Sequence, residues 1–168
     1  METQGGGYIP KDLSFDEEAR AKLISGIKKI SKAVKSTLGP RGSTVIVESP
    51  DHTRGMTVTK DGVTVASSIF LMDPIENLAV RMMKQASEET ATSAGDGTTT
   101  AIVLTEALVE AGMKWIKPHH NVAEVLKDIN MHSEFIGKYI KKERSKKLNK
   151  SILLDVATIS ANNDKEIG

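Results

Sequence analysis

Apolar residues recur every three or four positions in four stretches of the chain, the spacing that places side chains on one face of an α-helix. The four predicted core-facing sets are Leu23, Ile27, Ile30 and Val34; Ile75, Leu78, Ala79, Met82, Met83 and Ala86; Ala101, Ile102, Leu104, Ala107 and Leu108; and Val122, Val125, Leu126, Ile129, Ile136 and Ile140. We therefore predict a mainly α-helical fold that buries these four faces.

Residues that start or stop helices flank these stretches. Ser14–Glu17 has the spacing of a capping box, which would satisfy free amides of a first helical turn. Gly39–Pro40 is expected to end the first helix, and Asp73–Pro74 to begin the second with a proline in its first turn. Asn121, followed by Glu124, predicts another helix start.

A small β-hairpin is predicted between the first two helices. Residues 43–48 and 56–59 are rich in valine, isoleucine and threonine, and a polar segment separates them. Asp61–Gly62 then turns the chain into a short segment that ends at Leu71.

Composition narrows the functional classes. The 168 residues suit one domain, their net charge is +1, and the absence of cysteine removes disulfides and thiolate metal sites. No stretch approaches 18 apolar residues, and the first residues lack the apolar run of a signal peptide. We expect a cytoplasmic protein that has neither a membrane nor a nucleic acid as partner.

Two local features do not change that expectation. The basic run 138–150 offers only Tyr139 as an aromatic residue, whereas nucleic-acid surfaces combine several aromatics with positive charge. The adjacent pair His119–His120 has diverging side chains and few other histidines with which to complete a metal site.

The segment Ala94–Ala101 carries the most informative chemistry. Its two glycines, one aspartate and three successive threonines stand at the predicted start of a helix. Free amides and the helix dipole make such a start a binding site for anions, and glycines allow a bulky anion to approach. Asp96 beside a phosphate makes sense if a divalent cation lies between them, so the segment predicts a magnesium–nucleotide site.

This segment has two other interpretations. One is a glycine-rich turn in which Thr98 or Asp96 only caps the helix. The other is an Asp-x-Asp-x-Thr phosphotransfer loop, which requires a preceding apolar strand, whereas Glu89–Gly95 looks like a helix end. No Gly-Lys-Ser/Thr sequence closes the loop, so it is not a Walker A motif.

Three further motifs accompany this segment: Thr37–Gly42, Val58–Ala66 and Thr158–Asp164. In this order and spacing, the four motifs closely resemble the N-terminal part of group I chaperonins, the bacterial GroEL type. The resemblance extends over residues 11–168. Lys60 and the Ile-Ser-Ala-Asn sequence that begins at Ile159 favour group I over group II.

The resemblance implies a fold and a set of site residues. The fold is the helical bundle of a chaperonin equatorial domain with a small β-hairpin. Asp61 would position the attacking water as the catalytic residue, and Asp96 would coordinate Mg²⁺. The residues implied to bind ATP are Thr37, Leu38, Gly39, Pro40, Lys60, Asp96, Gly97, Thr98, Thr99 and Thr100.

The resemblance also implies how the chain is organised. Residues 1–13 would be a flexible leader, and residues 14–168 the N-terminal half of an equatorial ATP-binding domain. Intermediate and apical domains would follow in the parent protein, so the chain is expected to be truncated and to lack full activity alone.

The implied function is that of an ATPase, a ring-forming chaperonin subunit that assists the folding of other proteins. Its partners would be identical subunits, unfolded clients and a co-chaperonin, and its location the cytosol of a bacterium or of an infected host cell. The alternative is a non-catalytic scaffold with the same fold. Retention of Lys60, Asp61 and Asp96 together argues against that alternative.

Overall fold

The structure is a computed structural model that describes residues 13–39, 41–48, 55–161 and 166. Within them the chain is mainly helical, with one two-stranded antiparallel sheet. The elements in chain order are α1 (Asp16–Lys35), β1 (Val45–Glu48), β2 (Met56–Thr59), α2 (Gly62–Ser68), α3 (Pro74–Ala94), α4 (Thr98–Trp115), α5 (Val122–Glu143) and α6 (Lys150–Ser160). The predicted fold class is confirmed.

The chain divides into two compact units, residues 1–115 and residues 116–168. In the first unit, α1 packs against α2, α3 and α4. The buried apolar core there consists of Ile30, Val34, Val65, Ala66, Val80, Met83 and Ile102. The predicted division at residues 13 and 14 into a leader and a half-domain stays a prediction.

Gly26 of α1 makes a close contact with α3. A Cβ built at Gly26 would overlap the carbonyl oxygen of Glu76 in the first turn of α3. Polar contacts hold the same crossing, because Ser25 Oγ donates to Glu76 Oε1 at 2.7 Å and Lys29 Nζ lies 2.6 Å from that oxygen. The hydrogen bonds from Lys29 and Ser25 lower the pKa of the Glu76 carboxyl, so Glu76 stays ionised.

The hairpin pairs Val45 with Thr59 and Glu48 with Met56. Alternate residues of β1 are half-buried, as a sheet with one solvent-facing side requires. The strand begins two residues later than the start of the predicted segment 43–48. Residues 49–54 of the connecting loop lie outside the described residues.

The second unit contains α5 and α6. Asn121 accepts a hydrogen bond from the amide of Ala123, which confirms it as the N-cap of α5. Helix α6 was not predicted by apolar spacing, and its N-cap Asn149 accepts from the amide of Ile152. Neither helix buries any of its described residues fully.

Two details of the sequence prediction were wrong. Helix α1 begins at Asp16 with Phe15 as N-cap and no side-chain cap, so Ser14–Glu17 is not a capping box. The predicted core faces also exceed the buried surface: Leu78, Met82, Leu104 and Leu108 are each more than half exposed, whereas Val80 is fully buried. Val122, Leu126, Ile129, Ile136 and Ile140, on the predicted face of α5, are exposed as well.

No helix in the described part of the chain is long and apolar enough to cross a membrane.

Gly26→Ala tests the α1–α3 contact. The added Cβ meets backbone that cannot move without shifting α3, so we expect the free energy of unfolding to fall by about 1–3 kcal/mol. Gly137→Ala in α5 is the matched control, since a Cβ there meets nothing within 4 Å, and it should gain about 0.5–1 kcal/mol. Urea denaturation followed by circular dichroism measures both changes. Equal effects of the two substitutions would contradict the close contact.

Candidate functional site

The C-terminal end of α1 forms a tight corner. Thr37 Oγ1 donates to the carbonyl of Val34 at 2.8 Å, and the amide of Leu38 donates to Lys35 at 3.2 Å. Gly39 has a φ of 78°, a conformation that glycine adopts without strain. The amide of Gly42 donates to Gly39, which closes the turn. These bonds hold the described residues of the corner, Thr37–Gly39 and Gly42, while Leu38 stays 47% exposed.

Asp61 caps the start of α2. Its Oδ1 accepts from the amide of Val63 at 3.3 Å, and its Oδ2 accepts from the amide and the hydroxyl of Thr64 at 2.9 and 2.7 Å. Burial of the carboxylate raises the pKa of Asp61, but the bonds from Thr64 and Val63 outweigh it, so the pKa lies below its usual value. Asp61 is thus ionised at neutral pH.

The start of α4 carries open donors. Gly95 and Gly97 flank Asp96 with φ values of 75° and 89°, and Asp96 Oδ1 accepts only from the amide of Gly97, at 2.6 Å. In the described part of the chain no acceptor bonds to the amides of Thr98–Thr100. Asp96 therefore does not cap the first turn of α4, which argues against the interpretation of this loop as a simple helix cap.

Gly62 brings the three segments together. A Cβ built on this residue would overlap Thr99 Oγ1 and lie 3.3 Å from Thr37 Oγ1. The end of α1, the start of α2 and the first turn of α4 thus meet at one point. Gly62 was not among the predicted site residues, although a glycine directly after a helix-capping aspartate is a signal of close backbone approach.

The other predicted site residues lie next in the chain to the three segments that meet at Gly62. Lys60 directly precedes Asp61 and is exposed, as are Asp96 and Thr100. Thr98 is buried and Thr99 half-buried. Pro40 lies outside the described residues. Helix α3 runs directly into Gly95, so no strand precedes Asp96, as an Asp-x-Asp-x-Thr phosphotransfer loop would require.

The described residues contain no cluster of metal-ligating side chains: no three histidine or carboxylate side chains come together as a metal site would need. His119 and His120 stack edge to face with their ring centres 4.4 Å apart, and His120 Nδ1 accepts from the amide of Lys117. Asp96 therefore does not belong to such a cluster, so oxygen ligands from a bound phosphate or water would have to complete a cation site there.

The sequence profile of the TCP-1/cpn60 chaperonin family matches residues 30–167. The matched range includes the corner, the start of α2 and the start of α4. The chain belongs to the TCP-1/cpn60 chaperonin family.

Solved chaperonins share this fold. A chaperonin of bacteriophage EL (Pseudomonas aeruginosa), crystallised in the presence of ATP-BeFx, aligns with a TM-score of 0.76 and 28% identity over 89% of this chain. A second crystal form aligns over 61% of this chain with 33% identity and a TM-score of 0.56. A group III chaperonin in the open state aligns over 88% with 28% identity and a TM-score of 0.68.

This chaperonin-family chain is short beside those proteins. It spans 26%, 18% and 29% of the three chains it matches. The likeness therefore concerns the helical domain described above.

Asp61→Ala tests the cap of α2 through its pH dependence. At neutral pH the loss of the cap should lower the free energy of unfolding by about 0.5–2 kcal/mol. Because the folded pKa of Asp61 is depressed, the contribution of its charge is complete above 3.8, the unfolded value, and is lost as the pH falls through the folded pKa. Urea denaturation across this pH range should show the difference from wild type narrowing in acid.

Asp61→Asn, which keeps a neutral cap, is the control. A difference that is constant with pH would contradict the assignment of an ionised cap.

Proposed function

We propose that the chain forms part of an ATP-hydrolysing chaperonin subunit and that the junction at Gly62 is its nucleotide site. The observation that carries the proposal is the convergence of three helix ends on one glycine, beside a helix start whose amides have no acceptor in the described chain. Membership of the chaperonin family and the ATP-BeFx used with the phage EL chaperonin support it.

The phosphates would lie at the start of α4. Three successive amides and the positive end of the helix dipole suit a multiply charged anion. The hydroxyls of Thr98, Thr99 and Thr100 add further donors, and the open space beside Gly95 leaves room for phosphate oxygens to approach.

Asp96 would hold Mg²⁺. Magnesium is usually bound by one or two carboxylates together with substrate phosphates and water, which fits one exposed carboxylate beside an anion site. Bound there, the ion would neutralise charge on the transferred phosphoryl group.

The remaining residues would bind the nucleotide and orient the attacking water. The corner of Thr37, Leu38, Gly39 and Pro40 would contact the nucleotide through its backbone, and the ammonium of Lys60 would lie near the phosphates. Asp61 would orient the attacking water. An ionised carboxylate has about four lone-pair sites, and Asp61 uses three of them on Val63 and Thr64. One acceptor site on Oδ1 thus remains for a water.

The proposal also covers the assembly, location and activity of the whole protein. The parent would form a ring of identical subunits in the cytosol, assist the folding of client proteins and work with a co-chaperonin. Lys60 and the sequence from Ile159 favour the group I subfamily.

Asp96→Asn should reduce magnesium-dependent ATP hydrolysis by the full-length protein about 100-fold or more, because it removes a charge that compensates the transition state. An asparagine oxygen still accepts from the amide of Gly97, so the loop should keep its shape. Phosphate release is the measurement. Glu88→Gln, which removes an exposed carboxylate from α3, is the control and should leave turnover unchanged. Turnover of the Asp96 variant within twofold of wild type would refute the magnesium role.

Asp61→Asn separates chemistry from capping. Asparagine caps helices as well as aspartate does, so α2 should stay intact while hydrolysis slows by about 100-fold and ATP affinity changes little. Calorimetric titration beside a turnover assay gives both quantities. Asp73→Asn is the matched control, because Asp73 caps α3 through Ile75 and Glu76 in the same way.

The affinity and turnover measurements also distinguish a catalytic role of Asp61 from a binding role, and an ATPase from a non-catalytic scaffold. A loss of affinity with an unchanged rate per bound ATP would make Asp61 a binding residue. A wild-type protein that binds ATP without turnover would support the non-catalytic scaffold.

A further inference from the structure

An ion pair with a buried carboxylate joins α1 to α4 close to the corner. Lys35 is the last residue of α1, and its ammonium contacts Glu106 Oε2. The Glu106 side chain is only 9% exposed, whereas that of Lys35 is 46% exposed. Oε2 has no hydrogen-bond donor among the described residues apart from this contact, so Lys35 neutralises a carboxylate that the fold has buried.

The pair is connected to both halves of the candidate site. The carbonyl of Lys35 accepts from the amide of Leu38, inside the corner. Glu106 lies about two turns along α4 from Thr98, on the helix whose first turn carries the open amides. Thr37 and Thr99 meet on Gly62 at the site end of these two helices. The ion pair therefore lies close to the junction at Gly62, where the end of α1 meets the first turn of α4.

A second pair between the same helices provides a comparison. Lys28 Nζ lies 3.3 Å from Glu110 Oε1, with side chains 57% and 50% exposed. It is about two turns of α1 farther from the corner. Exposed pairs contribute little, because water screens them and two long side chains lose freedom. The structure thus contains one pair with a buried carboxylate near the site and one pair with two exposed side chains away from it.

We propose that Lys35 and Glu106 are positioning residues that fix the corner at the end of α1 relative to the first turn of α4. The inference rests on the proposed nucleotide site. Neither side chain need touch the nucleotide. A carboxylate that the fold has buried must stay within reach of its cation, so the pair limits how far α1 can slide along α4.

The test uses the full-length protein with ATP and Mg²⁺, and it reads nucleotide affinity by calorimetry and stability by urea denaturation. Lys35→Met should weaken ATP binding about tenfold, within the range typical of coupling between two sites. Lys35→Arg retains the pair and should bind within about twofold of wild type. Lys28→Met is the matched control and should leave affinity unchanged.

A double variant separates positioning from stability. Lys35→Met leaves the buried Glu106 carboxylate unpaired and should reduce stability. Lys35→Met with Glu106→Leu removes both charges, and replacing a buried charge together with its partner by apolar groups often keeps or raises stability. We expect this double variant to regain stability and still bind ATP about tenfold more weakly than wild type. If its affinity returns to the wild-type value together with its stability, the pair is only structural and the inference is wrong.

The outcome for the wild-type protein is read separately. If wild type binds no ATP, the proposed nucleotide site fails and the inference fails with it. If wild type binds ATP and Lys35→Met binds equally well, only the inference is overturned.

Discussion

The contact between Gly62 and the hydroxyls of Thr37 and Thr99 fixes the geometry of the candidate site. It leaves no space for a Cβ, so the backbone at the start of α2 lies directly against the hydroxyls of Thr37 and Thr99. Close packing of this kind resists compression and transmits displacement. The segments that carry Asp61, Asp96 and the open amides of α4 are positioned by that contact.

Electrostatics at the helix ends follows from the same arrangement. The C-terminal end of α1 meets the N-terminal end of α4, so a partly negative helix end lies beside a partly positive one. Lys35 in the last turn of α1 adds a cation where the dipole favours one. The open first turn of α4 remains the place where an added anion would be stabilised most, because its amides have no acceptor in the described chain.

Helix α1 connects the site to the core. Its buried residues Ile30 and Val34 pack in the cluster that contains Val65 of α2, Val80 of α3 and Ile102 of α4. The α1–α3 crossing depends on Gly26 against the backbone of Glu76. A shift of α1 would therefore change both the core and the corner, which links the stability of the first unit to the shape of the site.

Local signals in the sequence predicted four of the six described helices, the hairpin and the segments of the candidate site. Helical spacing, Pro74 and Asn121 predicted α1, α3, α4 and α5, because propensity and capping act within a few residues. Glycines and threonines around Asp96 predicted an anion site at a helix start for the same reason. The capping box at Ser14 failed because its spacing is common, and the observed α1 starts without a side-chain cap.

Tertiary structure decided how much of each predicted face is buried and which distant residues meet. Val80 is buried while Leu78 and Met82 are exposed, since the direction of α3 depends on its neighbours rather than on its own spacing. Gly62 between Thr37 and Thr99, and Glu106 beside Lys35, join residues 25 to 71 positions apart. Sequence spacing specifies neighbours within a helix, but contacts across such separations depend on how the helices pack, and only the folded chain fixes that packing.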